Sequence, residues 1–461
     1  MNKPQFEIYE KPIAAIATPL GYGGISVVRI SGPNVFKVAD RLISKKITPV
    51  SHRKHGNFFH TKVYDCQTGE SIDDALVLVF HAPKSYTGED TVEIQGHGGV
   101  IPAERLLNAV LNAGAKLAEP GEFTKRAFLN GQLDLTQAEA VCELIQSQTE
   151  RAAAVARSQL DGSLGCKIEA MYDQIVDLSA DLEHVLDFDE GEIADHFVEK
   201  TVESIESLNK SLQKMIDSWR EGELLRQGAL IVLSGAPNAG KSSLLNALLE
   251  RNRAIVHSTP GTTRDILEES YSLSGIPARL VDTAGLRDSD NAIECEGIKR
   301  AHALIKAADL NLLVIDRHDT STDKLSAIIK IFNQNKLILV LNKSDLSDSE
   351  ALRVPQNIPS VSISALNGIG LDELKSIMKK TLGIEDDFQT QPVVTQRHLE
   401  ELRFTQNAIE EVILLLKADI TDIVIAAGYL REGSEALGRI TGRVYSEDLL
   451  DNIFGKFCVG K

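Results

Sequence analysis

A chain of 461 residues exceeds the ~100–200 residues of one domain, so about three domains are expected. Apolar residues at 43% and charged residues at 25% exclude a disordered chain, and no apolar run approaches the ~18 residues of a membrane span. A formal net charge of −17 excludes a general pull on nucleic acid and leaves any RNA contact to local basic patches.

Five cysteines (Cys66, Cys142, Cys166, Cys295 and Cys458) form no CxxC pair, which argues against a disulfide framework and a zinc site. Residues 1–12 mix acids with lysines, lack an apolar signal core and lack an Arg-rich transit composition, so a cytoplasmic protein is expected. Charge is uneven. Residues 1–60 carry nine Lys/Arg against three Asp/Glu, while 161–206 is heavily acidic, a pattern that solvated faces of different domains would produce.

From 13 to 131 short β-like runs at 25–30, 75–80 and 91–95 alternate with Gly- and Pro-containing turns, which predicts an α+β module. Between 133 and 220 Pro is absent, Gly is rare, and apolar residues recur at helical spacing (Ile205, Leu208, Leu212, Ile216, Trp219), so several long helices follow. From 228 the texture changes to apolar strands at 229–234, 278–281, 310–316, 336–342 and 360–364 with helical segments between them. Nearly all-apolar strands separated by helices predict a mostly parallel sheet covered on both faces. The acidic, Gln-rich piece 385–391 reads as a linker, and the rest is helical. Because the helical stretches on either side of the α/β segment are alike, one helical domain made from two chain segments, with the α/β domain inserted, is expected.

Gly235-Ala-Pro-Asn238-Ala239-Gly240-Lys241-Ser242 fits GxxxxGK[ST], after an apolar strand and before the helical run that opens at Ser243. Backbone N–H groups would close around phosphates and Lys241 would reach the β/γ oxygens as the catalytic cation, while the Ser242 hydroxyl can ligate magnesium. Four more elements follow in the order that a GTPase requires. The segment Gly261-Thr262-Thr263-Arg264-Asp265 offers a threonine hydroxyl for magnesium. Asp282-Thr283-Ala284-Gly285 places a metal-holding carboxylate at a strand end. Asn342-Lys343-Ser344-Asp345 supplies two acceptor oxygens for the paired donors of guanine, which adenine lacks. Ser364-Ala365-Leu366 would pack on the base. Leu286 stands where many GTPases carry a water-orienting glutamine, so another group must do that work; Arg287, Glu294, Glu296 or a bound cation are the candidates.

Beyond these motifs the chain resembles the MnmE (TrmE) family of tRNA modification GTPases along essentially its whole length. The resemblance rests on the 18–32 segment with Arg29, on 85–90, on Glu93 to Gly99, on 120–130, on 133–140, and on the terminal Cys458-Val459-Gly460-Lys461. It implies an N-terminal α+β domain (1–131) that binds a 5-formyltetrahydrofolate-type cofactor and dimerises, a helical domain (132–225 and 385–461) and an inserted Ras-like GTPase domain (226–384). Arg29, Glu93, Gln132 and Lys461 match folate positions, with Gln132 standing where the family has lysine. The guanine nucleotide would also touch His257, Ser258, Thr259 and Pro260. Potassium would be held by Asn238, His257, Thr259 and Thr262, and magnesium by Ser242 and Thr263. Glu294 matches the water-orienting glutamate. Ala236 and His257-Ser258 depart from the family pattern. Cys458 matches a cysteine near the modification chemistry, although a small buried hydrophobe is an alternative; His97, between glycines, reads as a turn residue.

The implied function is GTP-driven formation of a 5-carboxymethylaminomethyl or aminomethyl group on the wobble uridine of tRNA. It would be carried out by a homodimer together with an FAD-containing partner, MnmG (GidA), in a heterotetramer or larger complex. A ribosome-assembly GTPase would share the five nucleotide motifs but not the N-terminal block or the cysteine tail.

Overall fold

The computed structural model describes residues 10–185, 195–251, 268–282, 293–318, 322–346, 354–384, 394–418 and 423–460. They fall into two compact units, one drawn from Met1–Cys142, Gly165–Tyr172 and Leu437–Lys461, the other from Glu143–Leu164 and Asp173–Ala436.

The first unit is built on strands β1 (Ile13–Ile16), β2 (Ile25–Ser31), β3 (Phe58–Tyr64), β4 (Ser71–Phe80), β5 (Thr91–His97) and β6 (Lys116–Leu117), in the order β3-β4-β5-β2-β1-β6. Neighbours are antiparallel except β1 and β6, which are parallel. Alternation along the strands sends Val28, Ile30, Val77, Val79, Val92 and Ile94 to one face. There they pack beneath helices α1 (Val35–Asp40) and α2 (Val100–Asn112), whose Leu106 and Val110 are buried. Helix α3 (Glu122–Leu129) places Phe123 against Ile13 and Ala15. The β-like runs read from sequence all form strands. β1, β3 and β6 escaped that reading because β1 and β6 are short and the exposed residues of β3 are mixed in character. His97 is the last residue of β5, not a turn residue, because its ring and backbone are both held by Asp73.

The predicted helical regions before and after the α/β segment include α4 (Leu135–Gln146), α5 (Glu150–Leu160), α6 (Ser163–Val185), α7 (Asp195–Asp217), α8 (Trp219–Gln227) and, later in the chain, α13 (Gln396–Ala418). Ile205, Leu208, Leu212 and Ile216 are buried along α7 as their spacing requires. Trp219 is not part of that stripe, because the chain breaks at Ser218 and Trp219 opens α8. Helices α7 and α13 pack on one another, with Gln406 Nε2 donating to Gln213 Oε1 at 2.8 Å and Lys417 Nζ 2.9 Å from Glu206 Oε1.

Between them runs the second sheet, β7 (Ala229–Ser234), β8 (Glu268–Leu273), β9 (Ile276–Asp282), β10 (Leu310–Asp316), β11 (Leu337–Asn342) and β12 (Ser360–Ser362), ordered β12-β11-β10-β7-β9-β8. All pairs are parallel except β8 with β9. β8, half polar and on the edge, gives no apolar run for a sequence reading to catch. Helices α9 (Lys241–Arg251), α10 (Ile293–Ala307), α11 (Thr322–Ile329) and α12 (Leu371–Leu382) belong to this α/β segment. Leu244 and Leu248 of α9 and Leu374 and Met378 of α12 share a core with Ile231, Leu280, Leu312 and Val340, while Leu325 and Ile329 of α11 pack with Leu313 and Leu339. The β8–β9 turn is held by Thr149, the N-cap of α5, whose Oγ1 donates to Gly275 O at 2.6 Å. The linker read at 385–391 lies outside the described residues.

Helices α14 (Ile423–Thr441) and α15 (Glu447–Phe454) complete the chain. In the first unit Lys125 Nζ of α3 stands 2.8 Å from Asp451 Oδ1 of α15. The last residues run beside β1 so closely that a Cβ at Gly460 would overlap the Ile16 carbonyl oxygen, and φ of 101° there also requires glycine.

Candidate functional site

Parallel strands β7, β9, β10 and β11 all end on the same side of the second sheet, and the loops after them form the candidate site, as the topology of open α/β sheets favours. After β7 the chain turns through Gly235 to Gly240, with Asn238 left-handed at φ 62° and Gly240 at φ 94°. A Cβ at Gly240 would collide with the Asn342 side chain, so no other residue fits. Lys241 then opens α9, and its Nζ donates to Gly235 O at 3.1 Å and Ala236 O at 2.9 Å, so the loop closes over its own lysine. Ser243, Ser242 and Asn238 are exposed, while Ala239 is buried.

β9 delivers Asp282, 4% exposed, to a point where its Oδ2 accepts from Ser242 Oγ at 3.1 Å. A hydroxyl and a carboxylate so placed are hard oxygen donors suited to magnesium. Among the described residues no His/Cys/Asp/Glu group of three could hold a metal on its own.

β11 ends in Asn342, 2% exposed, which acts as a tie. Its Nδ2 donates to Ala239 O at 2.9 Å and its Oδ1 accepts from Ala365 N at 3.0 Å, joining the phosphate-type loop to the 364–366 loop. With a carbonyl on one side and an N–H on the other, only one amide orientation satisfies both. Lys343 follows in the left-handed region at φ 65°, with Nζ 2.6 Å from Asp316 Oδ2 at the end of β10. Burial works to raise the Asp316 carboxyl, but the hydrogen bond from Lys343 prevails and holds it below its ordinary value. Asp316 was missed from sequence. The signal for it was present, since an acid closes β10 in direct register with Asn342.

Asp345 is exposed, and a hydrogen bond from buried Ser364 holds its carboxyl below its ordinary value. The 364–366 loop is tied back by Ser344 N donating to Ile363 O at 3.0 Å, and Leu366 stands 84% exposed, free to cover a planar ligand. The structure thus brings together Asn238 to Ser243, Asp282, Asn342, Lys343, Asp345 and Ser364 to Leu366. His257, Ser258, Thr259, Pro260, Gly261, Thr262 and Thr263 lie outside the described residues, as do Thr283, Ala284, Gly285 and Lys461. Glu294 is the second residue of α10.

In the first unit Arg29 and Glu93 face each other across β2 and β5, with Nε 2.8 Å from Oε1 and side chains 15% and 18% exposed. The Arg29 guanidinium lies over the rings of Tyr86 (5.4 Å) and Phe123 (5.8 Å), and its Nη1 is buried with no protein acceptor. Gln132 is exposed and packs beside Gly88. Cys458 is a free, exposed thiol, which removes the reading of it as a small buried hydrophobe; the neighbouring Phe457 fills that role against Phe454 at 5.4 Å.

Residues 12–132 match the family model described as the GTP-binding protein TrmE N-terminus, and residues 135–458 match that of the MnmE helical domain. The tRNA modification GTPase MnmE of Natranaerobius thermophilus is 40% identical over 98% of this chain and 100% of its own. That of Syntrophus aciditrophicus is 39% identical over 97% of this chain and 99% of its own. The G domain of the T. maritima FeoB iron transporter, 28% identical, aligns over 33% of this chain and 98% of its own with a TM-score of 0.25. With two family models that match along its length and relatives of about 40% identity matched over nearly their whole length, the chain belongs to the MnmE family of tRNA modification GTPases.

Proposed function

We propose that the chain binds guanine nucleotide at the ends of β7, β9 and β11, hydrolyses GTP there, and uses the cycle to drive modification of a tRNA wobble uridine. The observation that carries this reading is Asn342, which locks the phosphate loop and the base loop into one rigid cradle. In that cradle Asp345 pairs with the guanine edge, Lys343 is steadied by Asp316, and Lys241 releases loop carbonyls to meet the phosphates. Ser242 and Thr263 would hold magnesium with Asp282 behind them, and the metal would neutralise charge on the phosphates. Asn238, His257, Thr259 and Thr262 would hold potassium, which supplies the positive charge that an arginine finger gives elsewhere, an effect of roughly 10³–10⁵ in rate. Glu294 would orient the attacking water in place of the glutamine that Leu286 replaces.

The same reading assigns the first unit to a tetrahydrofolate derivative. The buried, unmatched Nη1 of Arg29 supports it, since it leaves a donor for a ligand carboxylate or carbonyl while Glu93 can accept from a pterin. Gln132, Lys461 and the exposed Cys458 complete that assignment. The packing of α7 on α13 supports one helical domain from 132–225 and 385–461 around an inserted 226–384 domain. The product would be 5-carboxymethylaminomethyl or aminomethyl uridine, made in the cytoplasm by a homodimer together with an FAD-bearing MnmG partner.

The test is GTP turnover by the purified protein in potassium and in sodium at equal ionic strength, with Glu294→Ala alongside. Strong potassium stimulation that the variant loses is expected. Equal turnover in both salts would refute the cation assignment, and no turnover in either would refute the nucleotide site.

A further inference from the structure

The sequence shows a basic N-terminal region that the nucleotide and folate readings leave unused, and the fold brings its later part, from Ile43 onward, to one sheet edge. Residues 36–62 hold seven Lys/Arg (Lys37, Arg41, Lys45, Lys46, Arg53, Lys54 and Lys62) and a single acid, Asp40, in a chain of net charge −17. Strand β3 is the outer strand of its sheet, and the segment between α1 and β3 touches it, with Tyr64 N donating to Leu42 O at 2.8 Å. Ile43 bridges Val63 at one end, and the Arg53 guanidinium lies 3.4 Å from the Phe59 ring centroid at the other. Lys45, Lys46, His52, Lys54, His55, His60 and Lys62 are all exposed on this strip.

Of the acids nearby, Asp40 accepts from Val50 N at 2.5 Å and Ser51 Oγ at 2.9 Å, Asp73 is taken by His97, and Asp65, just after β3, accepts from Gln67 N, Thr68 N and Asn112 Nδ2, while Asp74 stands opposite Lys62 in the β3–β4 register. Flat groups are fixed among the cations: His81 lies 4.7 Å from Phe36 at a tilt of 49°, with Nε2 2.8 Å from Arg53 O, and His55 sits edge-on to Phe80 at 6.1 Å. Asp90 also stands beside this end, 3.8 Å from His81 Nδ1. A cationic strip carrying fixed planar side chains is the surface chemistry that phosphate backbones and unstacked bases recognise, and the protein's overall negative field would confine such contact to this strip.

We propose that the β3 edge and the 45–55 segment form an RNA-docking surface, on which the tRNA backbone lies while its modification proceeds; this rests on the tRNA reading above. Lys45, Lys46 and Lys54 contact phosphates, and Arg53 on Phe59 offers a plane for a base.

The test is binding of an unmodified tRNA transcript to the full chain across a salt series, comparing wild type with Lys45→Ala/Lys46→Ala/Lys54→Ala. A second triple variant on α7, Lys200→Ala/Lys210→Ala/Lys214→Ala, removes the same charge elsewhere. Loss of roughly tenfold or more in affinity, and a salt slope lower by about 2–3, is expected for the first variant only. GTP turnover and the thermal midpoint should stay at wild-type levels. Equal losses in both triple variants would reduce the effect to net charge and overturn the surface. Unchanged tRNA binding in the first variant would also overturn it, while leaving tRNA as the substrate. If that variant keeps tRNA affinity but loses a protein partner, the strip is a protein interface. If wild type binds no tRNA while hydrolysing GTP, both the surface and direct tRNA recognition by this chain fail, and the nucleotide reading stands.

Discussion

Asn342→Asp is nearly isosteric, yet it should damage the nucleotide cradle in a pH-dependent way. The new carboxylate can still accept from Ala365 N, but its second oxygen would face the Ala239 carbonyl where an N–H now donates at 2.9 Å. Loss of the donor costs about 1 kcal/mol, and holding a buried acceptor against another acceptor adds about 1–3 kcal/mol. At about 1.4 kcal/mol per decade, the resulting 2–4 kcal/mol corresponds to roughly 30–1,000-fold in GDP affinity. A carboxyl buried against a carbonyl has its folded-state pKa raised, so the penalty is full at high pH and is relieved once the group is protonated and donates to Ala239 O. Fluorescent GDP titrations from about pH 8 down to about 5.5 should therefore show the variant recovering toward wild type, whereas Asn342→Ala stays weak throughout. Wild-type affinity for Asn342→Asp at high pH, or a defect that does not change with pH, would refute the tie.

Two further titrations follow from the structure. Ser364 holds the Asp345 carboxyl below its ordinary 3.8; a depressed carboxylate contributes above that value and fails as pH falls through its folded value, so Ser364→Ala should move the acid limb of GDP affinity upward. An unmoved limb would show that Ser364 does not act on Asp345. His97 is raised above its ordinary 6.5 by its hydrogen bond and attraction to Asp73, so its contribution is whole below that value and fades as pH rises through the folded value. In an NMR titration Asp73→Asn should return His97 toward the ordinary value, and an unchanged midpoint would count against the pair.

Much of the candidate site was legible because its motifs are local: Gly235 to Ser242 and Asn342 to Asp345 each carry their spacing within one strand end and its loop. The strands that hold them were legible too, since both faces are buried and β7, β10 and β11 are almost wholly apolar. β8 was not legible, because an edge strand reading Glu-Glu-Ser-Tyr-Ser-Leu has neither an apolar run nor clean alternation. Trp219 fits the helical spacing of α7 and still belongs to another helix, because periodicity does not register the break at Ser218. Pairings such as Asn342 with Ala239, Asp316 with Lys343, and His97 with Asp73 depend on strand register between distant segments, which a single sequence does not display.

Lys241 gives the cradle a further property. With its ammonium already bonded to the Gly235 and Ala236 carbonyls, the loop is held in a closed ring by its own side chain. The conformational freedom lost in shaping that ring is a cost of folding rather than of association. In the proposed nucleotide complex a phosphate would exchange one set of oxygen partners for another around a cation already in position, which favours fast capture over slow induced closure at this part of the site.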